Sequence, residues 1–280
     1  METQQNVAFL GAGSMAEAMI AGILGKGKFP HSQIIVTNRN NQQRLRKLNT
    51  KYGVIAIKRE QLNFEEIDIL ILVTKPKDIE DVLHFLKTKL KPHVLILSAV
   101  AGITTSWLEQ NMPLGQQVIR IMPNTSSLIG ESATAMSPGK NTREQAIFRG
   151  KELLSKMGSV YLIEEDKMDI FTGIAGSGPA YFYFLMEQIE KAGNEGGLDI
   201  QTVREISAQT MLGAAKMVLQ HMESPARLRE KVTSPNGTTA AGLAALEKYG
   251  GGMAIFQAIR GAAFRSKEIS TELQKNKFIR

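Results

Sequence analysis

Residues 6–23 read NVAFLGAGSMAEAMIAGI, and this stretch decides the fold. The apolar run Val7–Leu10 predicts a short buried strand, and the apolar residues that follow the glycines recur at helical spacing. Between them Gly11, Gly13 and Ala16 fit G-x-G-x-x-A, which indicates a dinucleotide site when it joins a strand to a helix. In such a site the first glycine permits a tight turn, the second lets a pyrophosphate approach the backbone, and the small third residue allows close packing. An ordinary strand–turn–helix unit is the alternative.

Length and composition narrow the class of protein. The chain has 280 residues, which suits two domains, and 43% of them are hydrophobic, enough for a sizeable core. No apolar run approaches a membrane span, and a strand that starts at residue 7 leaves no room for a signal peptide, so we expect a cytoplasmic protein with no membrane partner. The lack of cysteine excludes disulfides and thiolate metal sites, and the four histidines lack metal-ligand spacing, so no metal site is predicted.

The net charge of +7 raises the question of a nucleic-acid partner. The basic residues are dispersed, apart from a tail that contains Lys275, Lys277 and Arg280. No zinc-finger or RNA-binding pattern accompanies them, so we expect solvated surface charge and no nucleic-acid partner.

Short apolar runs alternate with amphipathic segments through the first part of the chain. Strands are predicted at 7–10, 33–38, 54–57, 67–73, 94–98, 118–122, 133–136 and 159–163, and helices at 42–52, 78–90, 105–110 and 142–156. This alternation is typical of a mostly parallel, doubly wound sheet with helices on both faces. We therefore predict an α/β Rossmann domain over residues 1–163.

From residue 164 onward the pattern becomes helical. Helices are predicted at 168–172, 179–192, 200–220, 225–231, 239–248 and 253–272. Glycines at 196–197 and 250–252 are predicted to end two of these helices. Because one small domain could not bury all their apolar residues, we predict an all-helical dimerisation domain over residues 164–280.

The residues after the second predicted strand bear on the choice of cofactor. Asn38 and Arg39 stand where an NAD site normally has an acidic residue for the ribose. A carboxylate would repel a 2′-phosphate, whereas asparagine and arginine can donate to it, so the sequence favours NADP(H) over NAD(H). The alternative, that Arg39 is an ordinary surface residue, is left open by spacing alone.

Three further strand ends carry small or polar residues that could border a cofactor: VTKP at 73–76, AVA at 99–101 and MPNT at 122–125. The alternative for VTKP is a solvated loop lysine at Lys75, and the alternative for the other two segments is tight-loop packing. None of the four histidines falls near a strand end that would face the cofactor, so a histidine acid–base group is not expected. A substrate that accepts hydride without a strong protein acid would suit this site, and an imine is one, because its nitrogen is readily protonated near neutral pH.

Two loops in the helical part combine small residues, hydroxyl groups and a helix start. They are GSGPAY at 176–181 and TSPNGTTA at 233–240. Free N–H groups and hydroxyls in such a loop can bind a carboxylate. Ordinary N-capping by serine or threonine is the alternative.

Taken together, GAGSMAEAMI, VTKP, SAVAGIT, RIMPNT, GSGPAY, GAAKM and VTSPNGTTAAGLAALE resemble the pyrroline-5-carboxylate reductases. The resemblance runs from Val7 to about Ile269, and its last two motifs are specific to that family. It implies reduction of the cyclic imine Δ1-pyrroline-5-carboxylate to L-proline with hydride from NAD(P)H. It also implies a homodimer, or a larger oligomer built from dimers, with active sites between one subunit's cofactor domain and the helices of the dimer.

Carried over by position, the resemblance implies sites for both substrate and cofactor. The substrate would be held by Ser234, Gly237, Thr238 and Thr239, with Thr239 as the catalytic residue that hydrogen-bonds the ring nitrogen, and Glu165 would lie near it. The pyrophosphate would lie against Gly11, Ala12, Gly13, Ser14, Met15 and Ala16, and the ribose or its phosphate would meet Asn38 and Arg39. Val73, Thr74, Lys75, Pro76, Ala99, Val100 and Ala101 would line the adenosine and nicotinamide parts.

The chain departs from the family pattern at Asn236, which replaces the first glycine of the usual S-P-G-G-T-T loop. Asparagine tolerates left-handed backbone, so we expect the turn to persist while the added side chain narrows the site. The replacement of the usual residues before K-P by Val73 and Thr74 is milder.

Two other functions remain as alternatives. A β-hydroxyacid dehydrogenase would need a lysine acid–base group such as Lys191, but the pattern around that residue does not match. A non-catalytic NADPH-binding protein would have no need of the intact GSGPAY and TSPNGTT loops.

Overall fold

The computed structural model describes residues 5–25, 29–221 and 223–275, and within these ranges eight strands form one sheet. The strands are β1 (Val7–Leu10), β2 (Ile34–Asn38), β3 (Ile55–Lys58), β4 (Ile69–Leu72), β5 (Leu95–Ser98), β6 (Val118–Met122), β7 (Ser132–Pro138) and β8 (Gly158–Leu162). Their order is β3-β2-β1-β4-β5-β6-β7-β8, and neighbours are parallel except β6 and β7. The first six strands have the order of a dinucleotide-binding fold, so the predicted Rossmann sheet is confirmed.

Eleven α-helices are present within the described ranges. They are α1 (Ser14–Gly25), α2 (Gln42–Tyr52), α3 (Ile79–Leu86), α4 (Thr105–Asn111), α5 (Glu144–Leu154), α6 (Met168–Phe171), α7 (Gly178–Glu195), α8 (Ile200–His221), α9 (Pro225–Lys231), α10 (Thr238–Lys248) and α11 (Gly251–Lys275). No helix within the described ranges is long and apolar enough to cross a lipid bilayer.

The two faces of β1 belong to two different cores. Because side chains alternate along a strand, Val7 and Phe9 pack in a core with α1, α2 and α5. Ala8 and Leu10 pack on the opposite face, in a core with α3 and α4. All four residues are essentially buried, which explains why the strand reads as a continuous apolar run rather than an alternating one.

Most predicted elements lie within a few residues of their positions in the structure, and two differ in an informative way. The predicted helix 78–90 ends as α3 at Leu86, after which single turns lead to β5. Of the triplet 250–252, which we predicted to end a helix, only Gly250 does so, with a left-handed φ of 74°. Gly251 and Gly252 instead begin α11, so this part of the prediction is wrong.

The contacts divide the chain into two compact units. One comprises Met1–Ser177 together with Gly261–Arg280, and the other comprises Gly178–Arg260. The boundary between residues 163 and 164 that we predicted from the sequence stays a prediction. Of the predicted basic tail, Lys277 and Arg280 lie outside the described residues.

Within the second unit, α7 packs on α8 through a glycine. A Cβ on Gly193 would overlap the side chain of Val203, so this contact needs the absence of a side chain. The turn between the helices closes with the N–H of Leu198 donating to the carbonyl of Gly193 at 3.1 Å and with Gly197 at a φ of 91°. The glycines predicted to end this helix therefore do so.

A second close approach joins α1 to the loop after β6. Gly22 is buried, and a Cβ on it would overlap the carbonyl oxygen of Ser127 in the 3-10 turn Thr125–Ile129 and press on Met157. Gly25 lies one turn later on the same helix, is exposed, and has open space at its Cβ position.

We predict that Gly22→Ala lowers the free energy of unfolding by about 2 kcal/mol through overpacking, although alanine has the higher helix propensity. Urea denaturation measures the change. Gly25→Ala is the matched control and should leave stability within about 0.5 kcal/mol of the parent. Equal stabilities for the two variants would mean that α1 can move away from the turn at no cost.

Candidate functional site

Loops that follow three neighbouring strands open into one cavity of about 470 Å³ at the carboxyl edge of the sheet, where doubly wound folds bind ligands. The cavity brings together predicted site residues from far apart in the sequence, which are Gly11, Gly13, Asn38, Arg39, Val73, Thr74 and Lys75. Pro76 begins the 3-10 turn that follows, next to the cavity residues Lys75 and Lys77. The sheet order therefore assembles the glycine, ribose and VTKP segments as one site.

The two glycines of the fingerprint are suited to their positions for different structural reasons. Gly11 has a φ of 121°, and a Cβ on it would overlap the carbonyl of Val73. Its N–H donates to the carbonyl of Thr37 at 3.2 Å. A Cβ on Gly13 would meet no atom within 4 Å, so here the missing side chain leaves open space on the cavity side. This geometry fits a pyrophosphate that approaches the backbone at Gly13.

The residues after β2 are held by their own hydrogen bonds. The side-chain oxygen of Asn38 accepts the N–H groups of Asn40 and Asn41, each at 3.1 Å. Arg39 donates to Asp81 of α3 at 2.6 Å, and both side chains are more than half exposed. No acid directly follows β2 in the sequence, yet Asp81 of α3 supplies one from another element. Sequence reasoning missed Asp81 because a helix residue 42 positions away has no fixed spacing to the ribose loop.

The cavity has an excess of positive charge. Its basic residues are Arg39, Arg59, Lys75 and Lys77, against the acidic residues Asp78 and Asp81. The guanidinium of Arg59 lies 4.9 Å from the ring centroid of Phe85 and donates to Glu60 at 2.9 Å, so its position is constrained. An anionic ligand is favoured by such a lining.

A cluster of charged residues lies on the other side of the glycine loop. Glu17 of α1 accepts hydrogen bonds from Lys51 at 2.9 Å, Arg44 at 2.5 Å and Tyr52 at 3.0 Å. These bonds, that from Lys51 first, lower the pKa of Glu17 to about 2. Arg44 also donates to the carbonyl of Ala12. Sequence reasoning missed Arg44, although its place beside the buried Leu45 and Leu48 of α2 could have indicated an inward-facing cation.

Of the three predicted cofactor residues that follow β5, one lines a second cavity of about 310 Å³. Ala101 lines it together with Met122 and Ser177, whereas Val100 is buried and the N–H of Ala99 donates to Leu72 at the end of β4. Next to it a π-helical turn, Thr172–Gly176, leads to Ser177. Such turns often occur at functional sites. The side-chain amide of Asn124 donates to Ala175 within this turn at 2.9 Å and so ties the MPNT loop to it.

Glu165 has partners in the first unit. Its carboxylate accepts the N–H and the hydroxyl of Thr105 at 2.9 and 2.6 Å, and the guanidinium of Arg120 lies 3.3 Å away. Arg120 is buried, and its Nη2 makes no hydrogen bond to the described residues. The carboxylate thus stabilises the first turn of α4 and balances a buried cation. Its predicted place near the substrate stays a prediction.

The TSPNGTTA loop is formed within the second unit. The N–H of Gly237 donates to the carbonyl of Ser234 at 3.1 Å, and Asn236 has a φ of 58°, so residues 234–237 have the hydrogen bond and left-handed third residue of a type II turn. The expectation that Asn236 adopts left-handed backbone is confirmed. Helix α10 begins at Thr238, and the exposed Thr239 lies in its first turn, where N–H groups have no partner within the helix. Which ligand they bind stays a prediction.

Comparison with known proteins identifies the family. A family model described as "Pyrroline-5-carboxylate reductase dimerisation" matches residues 165–269, and one described as "NADP oxidoreductase coenzyme F420-dependent" matches residues 6–102. The chain is 58% identical to pyrroline-5-carboxylate reductase 1 of Bacillus spizizenii over 97% of its own length and 92% of that protein.

Solved structures agree with this result. A pyrroline-5-carboxylate reductase from Coxiella burnetii matches with 31% identity and a TM-score of 0.85, over 96% of this chain and 99% of that one. The pyrroline carboxylate reductase of Plasmodium falciparum with NADP bound matches with 26% identity, the same TM-score and the same coverage. The resemblance seen in the motifs is thereby confirmed, and the chain belongs to the pyrroline-5-carboxylate reductase family.

Proposed function

We infer that this chain is an NAD(P)H-dependent oxidoreductase that reduces the C=N bond of Δ1-pyrroline-5-carboxylate to give L-proline, the last step of proline biosynthesis. The observation that carries the inference is the 58% identity to a curated reductase over 97% of the chain. The two loops that the activity needs are also intact: the glycine turn at the sheet edge and the Ser234–Gly237 turn that begins α10.

The residues around the first cavity suit NADP(H) or NAD(H). The glycine turn leaves open space at Gly13, the first turn of α1 offers N–H groups to phosphates, and the lining carries excess positive charge. When bound, the reduced nicotinamide supplies the hydride. The protein's own contribution is to bind both ends of the dinucleotide and to hold the substrate against it, which provides the entropic part of the rate enhancement.

We assign the substrate to the loop at the start of α10. The N–H groups of the first turn and the hydroxyls of Ser234 and Thr238 would bind the carboxylate, and this fixes which face of the ring is presented. The Thr239 hydroxyl would hydrogen-bond the ring nitrogen as that atom loses its positive charge. A strong protein acid is not required, because the imine nitrogen is already protonated. Glu165, which accepts the N–H of Thr105 at the start of α4, would act close to the substrate.

We predict that Thr239→Val lowers kcat/KM for pyrroline-5-carboxylate about 10- to 100-fold, since a valine of the same shape removes one hydrogen bond to a charged group. Thr239→Ser keeps the hydroxyl and should retain activity within about threefold. Oxidation of NADPH followed at 340 nm measures both.

Thr50→Val, at an exposed position of α2, is the control for a threonine-to-valine change elsewhere. Full activity of the Thr239→Val enzyme would remove the assigned role of Thr239. Lack of activity in the parent enzyme would instead contradict the proposed reaction.

Preference for NADPH over NADH is proposed to depend on Arg39. A guanidinium can donate two charge-assisted hydrogen bonds to the 2′-phosphate, while Asp81 competes for the same group. We predict that Arg39→Gln lowers kcat/KM for NADPH about tenfold and leaves the NADH value within about twofold. Asp81→Asn should not weaken NADPH use. An unchanged ratio of the two cofactors in Arg39→Gln would exclude this role.

We also propose that two copies of the chain associate through the helical part, and that the dimers can form larger assemblies. Six large apolar side chains of α7, α8, α10 and the residue that follows α10 have about half or more of their surface exposed. They are Phe182, Tyr183, Phe184, Leu212, Leu246 and Tyr249. Large apolar side chains exposed in such number are typical of a surface that another protein covers. A second copy is the occupant that the dimerisation family model over 165–269 supports. The assembly is proposed to work in the cytoplasm, where reduced nicotinamide cofactor is regenerated.

We predict a dimer or a multiple of dimers by sedimentation velocity at micromolar concentration. Phe184→Lys should shift the population towards monomer, because a charge buried in an apolar interface has no partner. Phe148→Lys on α5, which changes an equally exposed phenylalanine of the first unit, is the control. A monomeric parent protein, or equal effects of both variants, would contradict the assignment of the interface to these helices.

A further inference from the structure

The side chain of Arg44, in α2, contacts the glycine turn without lining the cavity. The Nε of Arg44 donates to the carbonyl of Ala12 at 2.8 Å, and its Nη2 donates to the carbonyl of Gly13 at 3.4 Å and to Glu17 at 2.5 Å. About a quarter of the side chain is exposed. A single guanidinium therefore connects α2, the turn and the first turns of α1.

Because the peptide bond is planar, the contacts of Arg44 with two carbonyls also affect the direction of the neighbouring N–H groups. In a trans peptide the N–H points away from the carbonyl of the same unit. When the carbonyl of Ala12 is directed at Arg44, the N–H of Gly13 must point the opposite way, to the side where Gly13 lines the cavity. The carbonyl of Gly13 accepts both the N–H of Glu17 at 3.0 Å, within α1, and Nη2 of Arg44 at 3.4 Å, so the helix and Arg44 together direct the N–H of Ser14. Arg44 thus acts on the orientation of the donors that a pyrophosphate would meet.

Arg44 is itself held in place from both ends. Its backbone N–H donates to the side chain of Asn41, which caps α2, at 2.9 Å. The neighbouring Leu45 and Leu48 are buried in the core, so the helix cannot rotate without exposing them. At the far end, Lys51 and Tyr52 hold Glu17 against the guanidinium.

The charge of Arg44 is met by a carboxylate. Glu17 stays ionised down to strongly acidic pH, since its pKa is lowered to about 2 by the hydrogen bonds from Lys51, Arg44 and Tyr52. Because Glu17 neutralises the charge of Arg44, the guanidinium attracts an anionic ligand in the cavity only weakly. The contribution of Arg44 is therefore geometric. Its planar guanidinium contacts two successive carbonyls, which a lysine ammonium cannot do in the same way.

We propose that Arg44 is a positioning residue for cofactor binding, which fixes the N–H groups of Gly13 and Ser14 in the orientation that receives the pyrophosphate. The proposal rests on the proposed function in that the ligand is a nicotinamide dinucleotide. It assigns no direct contact between Arg44 and the cofactor.

The test is calorimetric titration of NADPH into the full-length protein and its Arg44→Ala, Arg44→Lys, Glu17→Gln and Arg46→Ala variants. Arg46, exposed on the same helix, is the matched control. We expect Kd for NADPH to rise about tenfold in both Arg44 variants, about two- to threefold in Glu17→Gln, and less than twofold in Arg46→Ala. The KM for pyrroline-5-carboxylate and kcat at saturating NADPH should stay within about twofold throughout.

Adenosine 2′-phosphate, which lacks a pyrophosphate, is titrated in parallel, and its Kd should not change in Arg44→Ala. Near-parent NADPH affinity in Arg44→Lys would overturn the proposal, because charge alone would then suffice. A parallel loss of affinity for both ligands would also overturn it, since a general loss of structure produces that pattern. If neither Arg44 variant folds, an unchanged Kd in Glu17→Gln overturns it. Binding requires no turnover, so a parent protein that binds NADPH but does not reduce pyrroline-5-carboxylate would contradict the proposed reaction and leave the role of Arg44 standing.

Discussion

The close approach of Gly11 to the carbonyl of Val73 is the constraint on which the cofactor half of the molecule depends. Strand β1 lies between β2 and β4, with Leu10 in register with both Thr37 and Leu72. At Gly11 the chain leaves the sheet for α1, while its N–H still donates to Thr37 and its Cα lies against the carbonyl of Val73. A side chain on Gly11 would separate these strand ends. Because none is present, the loops after β1, β2 and β4 open into a single cavity.

Side-chain hydrogen bonds to the backbone connect the segment after β2 with the glycine turn. The oxygen of Asn38 organises the turn after β2, and Asn41 caps the helix that follows. That cap places Arg44 where it meets the carbonyls of the glycine turn. The stretch after β2, which is proposed to select the cofactor by lacking an acid, thus has a second, structural part in the site. It caps α2 and, through Arg44, contacts the backbone of the glycine turn.

Local patterns in the sequence predicted what local physics determines. The strand, glycine turn and helix of residues 7–25 are determined by neighbouring residues, so the fingerprint was sufficient to place them. A glycine is less specific, because it can end a helix in left-handed conformation, as Gly250 does, or simply be its first residue, as Gly251 is. Periodicity continued the third helix past Leu86, since it cannot sense the turn before Pro92.

Long-range side-chain partners lay beyond such patterns. The contact of Arg44 with Ala12 spans 32 positions, and that of Thr105 with Glu165 spans 60. Neither separation follows from any helical or strand period, because both depend on the order in which the sheet is wound. Motif resemblance could name Glu165 as a site residue, but the ion pair with the buried Arg120 required the fold.

The helices α7 to α10 bury few of their side chains within one chain. Among the described residues of α7 to α10, only Gly178, Val203 and Ser207 are buried within one chain. So little buried surface cannot offset the conformational entropy of ordering four helices, since each ordered residue costs about 1–2 kcal/mol. Association with further copies, which the dimerisation family model over residues 165–269 supports, would supply the missing hydrophobic free energy, and the stability of these helices would then depend on protein concentration. The turn of residues 234–237 and the first turn of α10 belong to the same helices. Formation of the proposed substrate loop would therefore be coupled to assembly, whereas the glycine turn is supported by a sheet core that one chain completes alone.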